Sequence, residues 1–204
     1  MTPVYLDADG VLLDWAAGFE DFLAREKGLF PIDPSRSAMN VARWYGLDTD
    51  VVGRWIHDFN HSAETGFHDL QPHHAAAAGV ARLHAAGHPL HVITASSNTA
   101  SSRALRVENL TRVFGDVFED IQCLPIRARK IDALRRRTPG YWVEDCVLNA
   151  INGLTVGHAA HLVRRDWNRT RLHVLPERVG LLDSVMDLSD RVVGLAPAAE
   201  AVAP

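Results

Sequence analysis

Between Thr2 and Trp15 the chain reads Thr-Pro-Val-Tyr-Leu-Asp-Ala-Asp-Gly-Val-Leu-Leu-Asp-Trp. Val4, Tyr5 and Leu6 form a short run of strand formers that stops at Asp7, followed by Ala8, a second carboxylate at Asp9, and Gly10. Carboxylates are costly to desolvate, so two of them closing an apolar strand belong at its carboxyl edge, where a parallel sheet opens into a binding crevice. A plain reversal of the chain at Asp9-Gly10 is the competing reading. Which one holds depends on what the rest of the chain brings to the same edge.

The following segments alternate between helical and strand patterns. Trp15, Phe19, Phe22 and Leu23 fall at helical spacing, with Gly28 as a stop. A helix is predicted over Ala38 to Tyr45, ended by Gly46, and another after a cap at Asp48, with Val51, Val52, Trp55, Ile56 and Phe59 on one face. Beyond Pro72 a helix is predicted from His73 to Ala86, then a strand at His91–Thr94, then a helix capped by Ser97 or Thr99 and running to about Leu110. Ile121–Leu124 is a weak strand candidate and Ala128–Arg137 a helix. Tyr141–Val143 is a strand running into Glu144-Asp145, followed by a short helix that Gly153 ends. His161–Val163 is the last clear strand, and Arg178–Met186 reads as a helix or turn.

Strands alternating with helices imply a doubly wound parallel sheet with right-handed crossovers, a three-layer α/β/α core. The distance from Asp7 to Thr94 far exceeds one crossover. Residues 14–71 are therefore expected as an inserted helical cap over the crevice, with 1–13 and 72–193 as the catalytic core and 194–204 as a loose Ala/Pro-rich tail.

Composition narrows the function. A chain of 204 residues with 47% hydrophobic content can build one core with a modest insertion. A net charge of −4 and a pI near 6.2 argue against a partner that is a nucleic-acid polymer or a membrane surface. No apolar run reaches membrane-spanning length and no leader pattern is visible, so a cytoplasmic protein is expected. Cys123 and Cys146 read as small buried hydrophobes. The pairs His57/His61, His84/His88 and His73/His74 read as surface histidines, since no cysteine joins them at zinc-site spacing.

Polar groups thus close several strands: Asp7 and Asp9, Thr94, and Glu144-Asp145, with Lys130 ahead of the last. Acids, a hydroxyl and a lysine meeting in one crevice suit phosphoryl transfer. One carboxylate attacks phosphorus, and a second carboxyl group protonates the leaving oxygen and later activates water. Carboxylates facing a phosphate dianion need a divalent cation between them, and hard oxygen ligands favour Mg2+.

Asp7-Ala8-Asp9-Gly10-Val11-Leu12 resembles the first motif of the haloacid dehalogenase (HAD) superfamily, and Val92-Ile93-Thr94-Ala95-Ser96 resembles the second. The third is a lone lysine, best matched by Lys130 with Arg127 and Arg129 as rivals; the fourth is an acidic pair, Glu144-Asp145. The resemblance implies a HAD-like core and an Mg2+-dependent phosphomonoesterase working through an aspartyl-phosphate. Asp7 is then the nucleophile and Asp9 the acid/base. Ala8, Thr94, Ala95, Ser96 and Lys130 bind the phosphate. Asp7, Asp9 (through its carbonyl) and Asp145 hold the metal, with Glu144 and Asn149 behind them. Asn149 stands where the superfamily often has a further aspartate, which weakens the expected metal site and favours a fold-only binding protein as one alternative.

A narrower resemblance, to the C-type 5′(3′)-deoxyribonucleotidases, rests on Gly66–Pro72 and Asp166-Trp167-Asn168-Arg169. It implies a small phosphorylated metabolite such as a (deoxy)nucleoside monophosphate, and makes Trp15, Phe19, Trp44 and Trp55 candidate substrate contacts. Helical stripes give Trp15, Phe19 and Trp55 a competing role in the core of the cap. A sugar-phosphate phosphatase or phosphomutase is the main alternative; a dehalogenase has no use for Asp9, since a halide leaves without a proton. Nothing in the sequence sets an oligomeric state.

Overall fold

In a computed structural model, residues 1–33 and 35–194 are described. Six strands form one parallel sheet: β1 (Val4–Leu6), β2 (Leu90–Thr94), β3 (Asp120–Cys123), β4 (Tyr141–Glu144), β5 (Ala159–Val163) and β6 (Gly180–Leu182). Their order is β3-β2-β1-β4-β5-β6, and every neighbouring pair is parallel. The chain winds outward from β1 in one direction, then returns to β1 and winds the other way from β4. The carboxyl ends of β1 and β4 therefore flank the switch point, where such sheets open a crevice.

Alternation along the strands separates two cores. Val4 and Leu6 of β1 face one side with Val92 and Val143, against α1 (Trp15–Lys27), α4 (Ala76–Ala85), α5 (Ala100–Phe114) and α8 (Val185–Val193). Tyr5 faces the other with Ile93, Trp142 and Leu162, against α6 (Ile131–Leu134) and α7 (Val147–Thr155). Burial on both faces makes this the three-layer architecture expected of a doubly wound sheet.

Among the described residues, no strand of the sheet comes from the stretch between β1 and α4. It holds α1, α2 (Val41–Tyr45), α3 (Thr49–His61) and two 3-10 turns at Ala63–Thr65 and Phe67–Asp69. Its two ends run side by side: Leu13 bridges Pro72, the Asp14 N–H donates to the Gln71 carbonyl at 2.8 Å, and the His73 N–H donates to that of Leu12 at 2.9 Å. Asp14, Asn40 and Asp48 cap the three helices through their side chains.

Several predicted elements change. Arg178–Met186 is mostly neither helix nor turn: after a turn at Arg178, Gly180–Leu182 joins the sheet edge as β6, and α8 starts only after Ser184, whose hydroxyl shares a capping box with Asp187. Gly153 does not end its helix. It lies inside α7 because a Cβ there would collide with the Trp142 ring. The helix predicted from Ala128 shrinks to Ile131–Leu134, α5 runs on to Phe114 from a Thr99 cap, and α2 and α4 begin later than predicted. His88 is buried, with Nδ1 at 2.8 Å from the Thr2 carbonyl, rather than on the surface. The two cysteines are free and partly buried. Except for Gly194, the predicted tail lies outside the described residues.

Gly79 of α4 packs directly on the start of α8, where an added Cβ would stand 2.6 Å from the backbone of Val185 and Met186. Gly79→Ala must push two helices apart and is expected to lower unfolding stability by about 1–3 kcal/mol in urea titration. Gly53→Ala on the open side of α3, where nothing lies within 4 Å, is expected to be neutral or to stabilise by up to ~1 kcal/mol.

Candidate active site

The parallel register that sets Leu6 beside Val143 carries the next residues into contact across the switch point. The Asp7 N–H donates to the Val143 carbonyl at 3.0 Å, so the Asp7 side chain leaves β1 level with Glu144. Lys130, in the turn before α6, reaches in between. Its Nζ lies 2.6 Å from Asp7 Oδ2 and 2.8 Å from Glu144 Oε2, and all three side chains are buried. Of the three basic residues in Ile126–Lys130, Lys130 makes this bridge. Arg127 lies exposed on the rim of the cavity, and Arg129 is exposed.

Glu144 is fully occupied. Its Oε1 accepts from the N–H groups of Asp145 at 3.1 Å and Cys146 at 3.0 Å, while Oε2 takes the lysine. It works as the anchor of Lys130. Asp145 is fixed from the far side by the segment after β5: Trp167 Nε1 donates to its Oδ2 at 2.7 Å, and Asn168 Nδ2 donates to its carbonyl at 2.8 Å. Gly10 sits opposite, at φ +79°, and a Cβ there would strike the Asp145 carboxylate and the Trp167 ring. That close approach, with the left-handed backbone, is why glycine follows Asp9.

Asp9 points elsewhere. Its Oδ1 accepts from Nη2 of Arg106, on α5, at 2.6 Å, and its side chain remains 27% exposed to the cavity. Thr94 ends β2 and Ser96 follows it at the same edge, and both hydroxyls are buried without a protein partner among the described residues. The Ala8 N–H, predicted to face a phosphate, donates to Asp7 Oδ1 at 2.7 Å. Ala95 and Asn149 line the cavity; the Asn149 carbonyl also accepts from Trp142 Nε1.

The cavity above these groups holds about 370 Å³. The helical stretch between β1 and α4 supplies much of its wall: Trp15, Met39, Val41, Trp44, Ile56 and Asn60. Asn60 joins this wall to the floor, accepting from Trp15 Nε1 at 2.9 Å and donating to the Ser96 carbonyl at 3.2 Å. Phe19 and Trp55 do not reach the cavity. Phe19 is fully buried, stacked on Trp15 at 4.9 Å, and Trp55 packs on the core.

The electrostatics show a surplus of buried negative charge. Burial and then the neighbouring Glu144 push Asp7 up to about 7, against the pull of Lys130. Burial likewise raises Glu144 to about 7, and Asp145 shifts upward for the same reason. Burial alone would lower Lys130, but Asp7 and Glu144 outweigh it and keep the ammonium charged. Cys146, raised to about 11 by burial and then Glu144, stays a thiol.

Asp7, Glu144 and Asp145 each place a carboxylate oxygen within 4.8 Å of the others, with one lysine among them. A hard divalent cation fits this donor set, because it offsets charge that Lys130 alone leaves uncompensated. Glu144 accepts from two backbone N–H groups as well as Lys130, so Asp7 and Asp145, which meet fewer donors, are the carboxylates more open to a cation.

Arg106, Asn60 and the apolar wall residues Met39, Val41 and Ile56 were not anticipated from the sequence. Arg106 had a readable signal. It lies one turn from Ser102 and from Leu110 on the inward stripe of α5, where a charge has no place without a partner. Trp167 and Asn168 were marked only by the short Asp166–Arg169 match.

No family model matches the chain, and no curated protein matches it. Solved structures do. A D,D-heptose 1,7-bisphosphate phosphatase from B. bronchiseptica, complexed with magnesium and phosphate, aligns with a TM-score of 0.60 and 16% identity over 96% of this chain and 100% of its own. An HAD phosphatase from Thermococcus onnurineus gives 0.59 and 15%, over 95% and 98% of the two chains. The L-2-haloacid dehalogenase from Xanthobacter autotrophicus gives 0.58 and 14%, over 96% and 100%. At these identities the likeness is one of architecture: the chain has the HAD-like α/β fold, which its structural neighbours use for both phosphatase and dehalogenase chemistry.

Proposed function

We propose that the protein is an Mg2+-dependent phosphomonoester hydrolase that works through an aspartyl-phosphate on Asp7. The observation that carries this reading is the pairing of Asp7 with a buried Lys130 at the switch point, with Asp9 two residues on and Asp145 across the crevice. An Asp7 carboxylate oxygen attacks phosphorus. The bond from phosphorus to the ester oxygen breaks, and that oxygen keeps the electron pair and takes a proton from Asp9. Water then gives a proton to Asp9 and attacks phosphorus, and the carboxylate of Asp7 is restored. Lys130 holds Asp7 in place and offsets the charge that gathers as the two anions meet. The hydroxyls of Thr94 and Ser96, without a partner among the described residues, would bind phosphoryl oxygens. Asp7, Asp145 and the Asp9 carbonyl would hold the magnesium, which supplies positive charge to the phosphate. Among the structural neighbours, the dehalogenase reading is the weaker one, because a departing halide needs no acid in the place of Asp9.

The helices of residues 14–71 act in this reading as a cap that closes the cavity. Trp15 and Trp44 offer indole surface above the phosphate end, which favours a substrate with a planar ring such as a nucleoside monophosphate. Neighbours that act on heptose bisphosphates make sugar phosphates the alternative class.

Purified protein with Mg2+ is expected to release phosphate from p-nitrophenyl phosphate, and Asp7→Asn to lower the rate by ~10³-fold or more. No release with any divalent metal would rule out the reading. Mg2+ is also expected to raise the melting temperature of the wild type, and Asp145→Asn to require a markedly higher concentration for the same rise. A screen of deoxynucleoside 5′- and 3′-phosphates against sugar phosphates separates the two substrate classes; turnover of sugar phosphates alone would exclude the nucleotidase assignment.

A further inference from the structure

Arg106 is fully buried in the middle of α5, 97 positions along the chain from the carboxylate it touches. Nη2 donates to Asp9 Oδ1 at 2.6 Å, while Nε and Nη1 find no acceptor among the described residues. The guanidinium lies 4.3 Å from the centre of the Phe67 ring. Phe67 packs edge-on against Phe59 of α3, at 5.8 Å. One turn further along α5, Asn109 Nδ2 donates to the Leu70 carbonyl at 2.9 Å, and Arg112 donates to the same carbonyl at 3.2 Å. One face of α5 therefore grips both the returning end of the helical stretch and the second acid of the Asp7-x-Asp9 pair.

As a stabilising device the arrangement is poor. A buried guanidinium held by one hydrogen bond and one ring recovers little of its desolvation penalty, and apolar residues of like volume generally do as well or better. Its placement does serve geometry. Asp9 follows Asp7 on the same short turn, where its carboxylate could rotate toward the Asp7 and Asp145 charges or out into the cavity. A fixed donor on Oδ1 selects one rotamer and leaves Oδ2 without a protein partner among the described residues, on a side chain that remains open to the cavity.

We infer that Arg106 is a positioning residue for Asp9: its guanidinium, clamped against Phe67, holds the acid/base carboxyl group in line with the ester oxygen of the substrate. This rests on the phosphatase reading above. Arg106 is fully buried and does not line the cavity, so its effect on the reaction passes through Asp9.

Leaving groups separate this role from a structural one. An alkoxide needs a proton as it departs, whereas p-nitrophenolate leaves almost unaided, so misplacing Asp9 harms only the first kind of substrate. The experiment compares kcat/KM for p-nitrophenyl phosphate with that for an alkyl phosphate, deoxythymidine 5′-phosphate or glucose 6-phosphate, whichever the wild type hydrolyses faster. Arg106→Met is expected to lower the alkyl phosphate value by ~10²-fold and the p-nitrophenyl phosphate value by less than ~10-fold. In an Asp9→Asn background, Arg106→Met is expected to add no further loss, because its target is already gone. If Arg106→Met does not fold, Arg106→Lys, whose ammonium is shorter and lacks the fork, gives the same comparison with the same expected selectivity. Equal losses on both substrates, or losses that multiply with Asp9→Asn, would overturn the role of Arg106 while leaving the phosphatase reading intact. A wild-type protein inactive on every phosphomonoester would overturn that reading, and this inference with it.

Discussion

A buried lysine between two buried carboxylates is the interaction on which the site depends. Lys130 binds Asp7 at 2.6 Å and Glu144 at 2.8 Å, with almost no solvent to share the charge. Removing one partner from such a group typically costs about 3–5 kcal/mol, because the remaining charges stay buried and unpaired. The arrangement exists only because β1 and β4 lie side by side and parallel, so that consecutive strand ends deliver Asp7, Glu144 and Asp145 to one point. Sheet topology and charge placement are one constraint seen from two directions.

Around that centre, each neighbouring group is held by something remote in sequence. Trp167 and Asn168, beyond β5, fix Asp145. Arg165 Nε donates to the Gly10 carbonyl at 2.8 Å and steadies the turn after Asp9. Asn60 connects α3 and Trp15 to the Ser96 carbonyl, and Arg106 connects α5 to Asp9 and Phe67. The carboxylate end of the cavity is thus supported by the sheet. Its upper wall comes from helices joined to the sheet by the paired segments 12–14 and 71–73. Side chains of that wall can vary without disturbing the carboxylates below.

The acids were legible in the sequence because a strand that ends in Asp7, or in Glu144-Asp145, breaks the apolar pattern at a place where only a crevice tolerates it. Thr94 was legible for the same reason. Lys130 was harder to single out from Arg127 and Arg129, since local spacing does not say which basic side chain turns inward; the turn geometry before α6 decides it. Arg106 and Asn60 sit inside amphipathic helices; an inward charge on α5 marks Arg106 as buried, but its contact with Asp9, like that of Asn60 with the Ser96 carbonyl, comes from tertiary packing that no window of sequence contains. β6 escaped because Gly180–Leu182 is three residues long and takes its identity from pairing with β5. Gly153 misled because a glycine that stops a helix and a glycine that admits a tryptophan look alike until Trp142 is placed against it.

The proposed chemistry requires that Asp7 become covalently phosphorylated. Acid quenching during turnover of a phosphomonoester, followed by digestion and mass spectrometry, tests it most directly. A single phosphoryl group on the peptide containing Asp7, absent from Asp7→Asn, is the predicted result. Sustained turnover with the label on another residue, or retained by Asp7→Asn, would contradict the account.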